Sequence, residues 1–167
     1  RQRFDLLHRA FGFQRDGARG LKLDRSPDHH GPGAWHHGLA DRRLAAQRFL
    51  TDYTAHFVHG RYVGGALPRL PFFDNAFDLV LCAHLLFVYA RRFDLAWHVE
   101  ACRELVRVSA GEVRIHPICG ADGRRYAELP ALRSELAEVG IASEVVAVNY
   151  EFFVGTGSML VLKRASP

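Results

Sequence analysis

The chain has 167 residues, a formal net charge of +4 and a hydrophobic content of 49%. This length and composition predict one globular domain with a sizeable core and exclude a disordered chain. No apolar run reaches the roughly 18 residues of a membrane span, and the charged start at residues 1–5 lacks the apolar segment of a signal peptide, so we expect no membrane partner.

The positive charge is confined to the N-terminal part of the chain. Residues 1–50 hold ten Lys and Arg against five Asp and Glu, whereas residues 51–167 hold twelve against thirteen. A nucleic-acid-binding surface normally carries its basic residues as a patch or stripe on the folded body. We therefore expect no nucleic-acid partner.

Three cysteines, Cys82, Cys102 and Cys119, lie in apolar surroundings. An odd number of buried cysteines is typical of thiols in a reducing compartment. This pattern predicts a cytoplasmic protein without a disulfide framework.

Residues 1–40 differ in composition from the rest of the chain. They are rich in Gly, His and Pro, above all between Ser26 and Gly38, and show little apolar periodicity. Such a segment buries too little surface to offset the entropy of ordering, so we expect a poorly ordered or divergent N-terminal segment. The paired histidines in it favour opportunistic metal binding over a built metal site, and we predict none.

The predicted folded domain spans residues 41–167. Its first element is an amphipathic helix from Asp41 to about His59, followed by a Gly stop and a short strand at residues 61–63. Two prolines, Pro68 and Pro71, then keep the chain extended.

Residues 77–82 form the central prediction. This run is too short for a core helix and sufficiently branched and aromatic for a strand buried on both faces. In open α/β sheets, ligands bind at the carboxyl ends of such strands, which here are Cys82, Ala83 and His84.

The remaining pattern alternates helices and strands. After a covered turn at residues 85–89, Asp94 is a good N-cap for a helix that ends near the Ala110-Gly111 break. A strand at residues 112–116 comes next, followed by a helix at residues 130–139 that begins at Pro130 and stops at Gly140. Two closing strands, at residues 144–150 and 158–163, are predicted to pair antiparallel.

Residues 61–164 resemble the C-terminal two-thirds of a class I S-adenosylmethionine-dependent methyltransferase. Residues 65–80 are similar to the family's "LPF-DN-FD-V" segment, which enters its fourth strand. Residues 103–113 are similar to the helix, Gly turn and fifth strand that follow it, and the antiparallel ending is also shared.

The resemblance implies an α/β fold with a Rossmann-like, mostly parallel sheet and an antiparallel C-terminal strand pair. The family's Gly-rich cofactor turn and the acidic residue after its second strand are not found. The glycines of residues 28–33 imitate that turn, but no apolar strand precedes them. The chain is therefore predicted to lack the family's first strands, with residues 1–40 as a divergent or frame-shifted replacement.

The resemblance also implies a set of site residues. S-adenosylmethionine would contact Gly65, Ala66, Leu67, Cys82, Ala83 and His84, and the methyl acceptor would contact Phe87, Tyr89, Tyr150 and Phe152. Each has a structural alternative: the glycine segment as an ordinary turn, Cys82 and Ala83 as small packing residues, His84 as a strand-end cap with its ring bonded locally, and the aromatic residues as core.

We thus expect methyl transfer from S-adenosylmethionine to an unknown acceptor, more consistent with a small molecule than with nucleic acid. One alternative is a non-catalytic methyltransferase remnant or pairing subunit, in which a second copy, another chain or residues 1–40 cover an open sheet edge. Another is a nucleotide-binding α/β domain of different chemistry.

Overall fold

The computed structural model describes residues 34–149 and 155–165. Three α-helices and four strands alternate along these residues, which makes the protein a mixed α/β fold. In chain order the elements are α1 (Ala34–His56), β1 (Phe77–Ala83), α2 (Leu95–Val108), β2 (Ser109–His116), α3 (Leu129–Glu138), β3 (Ile141–Ala147) and β4 (Ser158–Arg164).

The four strands form one open sheet in the order β1-β2-β4-β3. Strands β1 and β2 are parallel, and β4 runs antiparallel to both of its neighbours, β2 and β3. The predicted antiparallel ending is confirmed, with the last strand inserted between β2 and β3. The parallel β1–β2 pair is possible because α2 returns the chain to the start of the sheet.

The core lies between one face of this sheet and the two helices α2 and α3. Alternate strand residues face the helices, which is why Val113, Ile115, Leu160 and Leu162 are buried while their sequence neighbours are more exposed. The spacing of apolar residues in α2 places the side chains of residues such as Leu105 in the same core.

The opposite face of the sheet is open in the described part of the chain. Strand β1 was predicted to be buried on both faces, and this is wrong: Leu79 is 45% exposed and Leu81 is 68% exposed, whereas Cys82 is buried. Both described helices that pack on the sheet, α2 and α3, cover the same face, so the apolar run of β1 has helical cover on one side only.

Glycine at position 111 determines how closely β1 and β2 approach. The sequence indicated a break here, but Gly111 lies inside β2, where a Cβ atom would stand 2.3 Å from the carbonyl oxygen of Asp78. The pairing of Phe77 with Ser109 and of Leu79 with Glu112 leaves one extra residue in β2, a local bulge. A glycine is therefore needed at this contact because any side chain would collide with the neighbouring strand.

The elements before β1 differ most from the prediction. Helix α1 begins at Ala34, before the expected start near Asp41, and continues as a 3-10 turn to His59. The predicted strand at residues 61–63 is not formed, since these residues have no strand partner in the described structure. The predicted stop at Gly60 is confirmed, with the left-handed φ of 77° that glycine adopts readily.

The later element boundaries follow local signals. Asp94 caps α2 by accepting a hydrogen bond from the backbone N–H of Trp97, as predicted. Pro130 lies in the first turn of α3, and Gly140 follows its end with a φ of 75°. The three cysteines are buried thiols rather than disulfides, which also agrees with the prediction.

Every helix within the described ranges is too short or too polar to pass through a lipid bilayer.

Candidate functional site

A cavity of about 540 Å³ lies beside the carboxyl end of β1. Its walls come from three parts of the chain: the loop at residues 65–70, the end of β1 with the residues after it, and α2 with its approach. In the described sheet β1 pairs with β2 alone, so the cavity runs along an edge strand whose backbone groups are not covered by another strand.

The loop wall is formed by Gly65, Ala66, Leu67 and Leu70. A tight turn shapes it, in which the backbone N–H of Arg69 donates to the Ala66 carbonyl oxygen at 3.0 Å. A Cβ atom at Gly65 would meet the ring of Pro71 at 3.1 Å, so the absent side chain there lets the loop fold tightly. Backbone and apolar side chains therefore face the cavity on this side.

Two charged residues of α2 hold this loop in place. The Glu104 carboxylate accepts hydrogen bonds from the backbone N–H of Leu70 at 2.6 Å and from the Arg107 guanidinium at 2.7 and 2.8 Å. Arg107 also donates to the Phe72 carbonyl oxygen at 2.9 Å and to the Asp74 carboxylate at 2.6 Å. The guanidinium of Arg107 and the Leu70 N–H keep the pKa of Glu104 below its usual range.

The strand wall is formed by Leu81, Cys82, Ala83 and Leu85. Cys82 and Ala83 are small, so a ligand can approach the backbone at the strand end. Burial raises the pKa of the Cys82 thiol, which disfavours the thiolate and therefore a nucleophilic role.

The third wall is aromatic. The rings of Phe93 and Trp97 are stacked with centroids 3.8 Å apart, and the Arg92 guanidinium lies over the Tyr89 ring at 5.8 Å from its centroid. A 3-10 turn at Ala90–Arg92 fixes these side chains relative to one another, with the Arg92 N–H donating to the Tyr89 carbonyl oxygen at 2.9 Å. This wall offers flat apolar surface together with one positive charge.

Arg92 is the charged member of the described lining, and no carboxylate belongs to it. The preceding arginine, Arg91, points elsewhere and pairs with Asp122 at 2.8 Å. The cavity is therefore apolar and aromatic with a cation at one side, a composition typical of small-molecule sites.

The structure brings six of the ten predicted site residues together. Five of the six cofactor candidates line the cavity, and one acceptor candidate joins them: Gly65, Ala66, Leu67, Cys82, Ala83 and Tyr89. Tyr150 and Phe152 lie outside the described residues.

The two remaining candidates lie elsewhere. Phe87 is fully buried and packs against the rings of His98 and Tyr126 at 5.9 and 5.1 Å, so it matches the core interpretation. His84 turns away at the strand end with a left-handed φ of 53°, and its backbone N–H donates to the His116 carbonyl oxygen at 2.7 Å. The backbone of His84 therefore continues the pairing of β1 with β2, and the role of its ring stays a prediction.

Sequence reasoning missed the aromatic wall. Phe93, Trp97 and Arg92 belong to the approach and first turns of α2, where the sequence predicted only the Asp94 cap and the helix after it. The sequence does contain a sign of this wall, because Phe93 and Trp97 are four residues apart and Arg92 directly precedes Phe93. Which side of α2 faces the cavity, however, depends on how the helix packs on the sheet.

The structure describes no metal centre. Among the described side chains, at residues 43–149 and 155–165, no group of three or more His, Cys, Asp or Glu is arranged to hold a metal ion. The paired histidines His29 and His30 lie outside the described residues, and the side chains of His36 and His37 lie outside the described side chains, so the metal prediction is not tested there.

Comparison with known proteins gives a structural likeness and no family. No protein-family model and no curated protein matches the chain. A crystal structure of a proposed DNA modification methylase from Thermus thermophilus is similar, with a TM-score of 0.36 and 12% sequence identity over 58% of this chain. The matched region spans 48% of that protein's chain, which is about half of its length.

Proposed function

We propose that this protein binds S-adenosylmethionine in the cavity beside β1 and transfers its methyl group to a small-molecule acceptor. One observation carries the proposal: two segments assigned to the cofactor by sequence resemblance, residues 65–67 and 82–83, line a single cavity at a strand's carboxyl end. Two separate segments of the chain meet there at the position where open α/β sheets bind their ligands.

The residues present fit part of the cofactor. The cavity volume of about 540 Å³ lies within the roughly 300–1,000 Å³ of small-molecule sites. Its apolar loop and aromatic wall suit the adenine ring, and Arg92 suits a carboxylate. The ribose hydroxyls find no carboxylate partner in the described lining, so backbone groups of the loop and of the β1 edge would have to take that role.

Methyl transfer needs little general acid or base catalysis from the protein. S-adenosylmethionine, when bound, supplies a methyl group on a positively charged sulfur that a nucleophilic atom of the acceptor can attack. The protein's contribution is then to align the two partners and to exclude water, for which the clamped loop and the stacked aromatic rings provide rigid walls.

Isothermal titration calorimetry with S-adenosylmethionine and with S-adenosylhomocysteine tests the proposal. A dissociation constant in the micromolar range, about −8 kcal/mol, supports it. A folded sample that gives no heat with either compound contradicts it.

A second function is favoured by a different observation. The cavity follows the free edge of β1, and the same strand exposes Leu79 and Leu81 on the open face of the described sheet. An exposed apolar edge strand is a site for pairing with another chain. In this alternative the protein is a non-catalytic pairing subunit, and β1 binds a second copy or a partner.

Light scattering after size-exclusion chromatography tests whether the protein pairs with a second copy, and the calorimetry above tests cofactor binding independently. A pairing subunit that self-associates elutes as a dimer, and Leu81→Lys converts it to a monomer. A cofactor-binding monomer keeps its mass with and without the substitution.

A further inference from the structure

We propose that the cavity selects ligands with a flat apolar body and a single carboxylate, which pairs with Arg92. This inference deepens the proposed function by naming the ligand chemistry of the same cavity. It depends on the aromatic wall and its cation, and not on the sequence resemblance.

The charge of Arg92 is the first argument. The other arginines of α2 and its approach are neutralised in the described structure: Arg91 pairs with Asp122, Arg103 pairs with Glu100 at 2.9 Å, and Arg107 pairs with Glu104 and Asp74. Arg92 has no carboxylate within ion-pair distance among the described residues and contacts the Tyr89 ring instead. Its guanidinium donors at the cavity are therefore available to a ligand.

The shape of the wall is the second argument. Phe93 and Trp97, whose rings stack with an inclination of 13°, both line the cavity and make this wall aromatic. Leu70 and Leu105 complete the apolar surroundings. A planar ring system buries the most area against such a wall at the lowest cost in conformational freedom.

The single positive charge of Arg92 favours a carboxylate over a phosphate as the ligand's anionic group. A single guanidinium neutralises one negative charge, and its planar fork matches the two oxygens of a carboxylate. A phosphate dianion would keep an excess charge in a mostly apolar cavity, which is unfavourable. The carboxylate can belong to the amino-acid part of the cofactor or to the acceptor.

The test uses a matched pair of probes, 2-naphthoate and the uncharged 2-naphthamide, titrated into the full chain. The expected result is at least fivefold tighter binding of naphthoate, with the preference lost in Arg92→Ala and retained in the control Arg91→Ala. Equal affinity for both probes, no binding of either, or a preference unchanged by Arg92→Ala overturns the inference.

A second titration identifies the source of the carboxylate. S-adenosylhomocysteine carries a carboxylate and 5′-methylthioadenosine does not. A loss confined to S-adenosylhomocysteine in Arg92→Ala assigns the contact to the cofactor, whereas equal binding of wild type and variant assigns it to the acceptor. If neither adenosine compound binds the wild type while naphthoate does, the proposed function fails and the carboxylate preference stands.

Discussion

The carboxylate of Glu104 accepts a hydrogen bond from the backbone N–H of Leu70, 2.6 Å away, and thereby joins helix α2 to the loop wall of the cavity. Arg107 contacts the same carboxylate and continues the connection to Phe72 and Asp74. Two side chains of one helix thus order a loop that has no regular secondary structure of its own. The shape of the candidate site depends on this connection.

Glu104→Gln is expected to lower the free energy of unfolding by about 1 kcal/mol, because the amide keeps the shape but loses charge-assisted hydrogen bonds that water partly screens. Urea denaturation measures the change. Glu100→Gln is the matched control, since Glu100 is an exposed residue of the same helix that pairs only with Arg103 in the described structure. An equal loss in both variants would contradict a special role for Glu104.

The same pair predicts a pH dependence. The folded protein lowers the pKa of Glu104, so ionised Glu104 adds stability above its unfolded pKa of about 4.3 and loses it as the pH falls through the lower folded value. The difference in stability between wild type and Glu104→Gln should therefore be constant near neutral pH and shrink below about pH 4.3. Chemical denaturation across pH 3–7 measures it, and a difference that grows on acidification would refute the assignment.

Much of the fold could be predicted from local signals, and the errors have one physical origin. The Asp94 cap, the Gly140 stop and the antiparallel ending depend on a few adjacent residues or on short loops. The burial of β1 on both faces and the strand at residues 61–63 depend on neighbours distant in the chain, which periodicity does not reveal. The cavity shows the same contrast between local and long-range signals: the end of β1 could be predicted from the sequence, and the wall formed by Phe93 and Trp97 could not.

Gly111→Ala is expected to disturb the β1–β2 pair. The new Cβ atom would stand 2.3 Å from the Asp78 carbonyl oxygen, so one strand must shift, at a cost of about 1–3 kcal/mol. Thermal unfolding followed by circular dichroism measures the loss. Gly64→Ala is the control, since a Cβ atom added there would have no atom within 4 Å, and an equal effect of both changes would argue against the close contact.

Phe87 and Tyr89 are two residues apart, and their substitution is expected to affect different properties, stability for Phe87 and ligand binding for Tyr89. Phe87→Ala should reduce the free energy of unfolding by about 3–5 kcal/mol, because a fully buried ring is removed from the core. Tyr89→Ala removes a ring that is 39% exposed, so the loss should be under about 1 kcal/mol while ligand binding weakens. Urea denaturation and calorimetry on both variants test this division, and a large stability loss in Tyr89→Ala would contradict it.

A larger side chain that fills the cavity is expected to weaken ligand binding without changing the stability of the protein. Ala83 lines the cavity at the exposed end of β1, so Ala83→Phe should occupy ligand space without entering the core. We expect S-adenosylhomocysteine to bind at least tenfold more weakly, with the free energy of unfolding changed by under about 0.5 kcal/mol. Ala142→Phe is the matched control, because Ala142 is also an exposed alanine of a strand in the same sheet but lies on β3, away from the cavity. Calorimetry on the two variants decides the location: a loss in Ala142→Phe alone, or in neither, would place the binding site elsewhere on the protein.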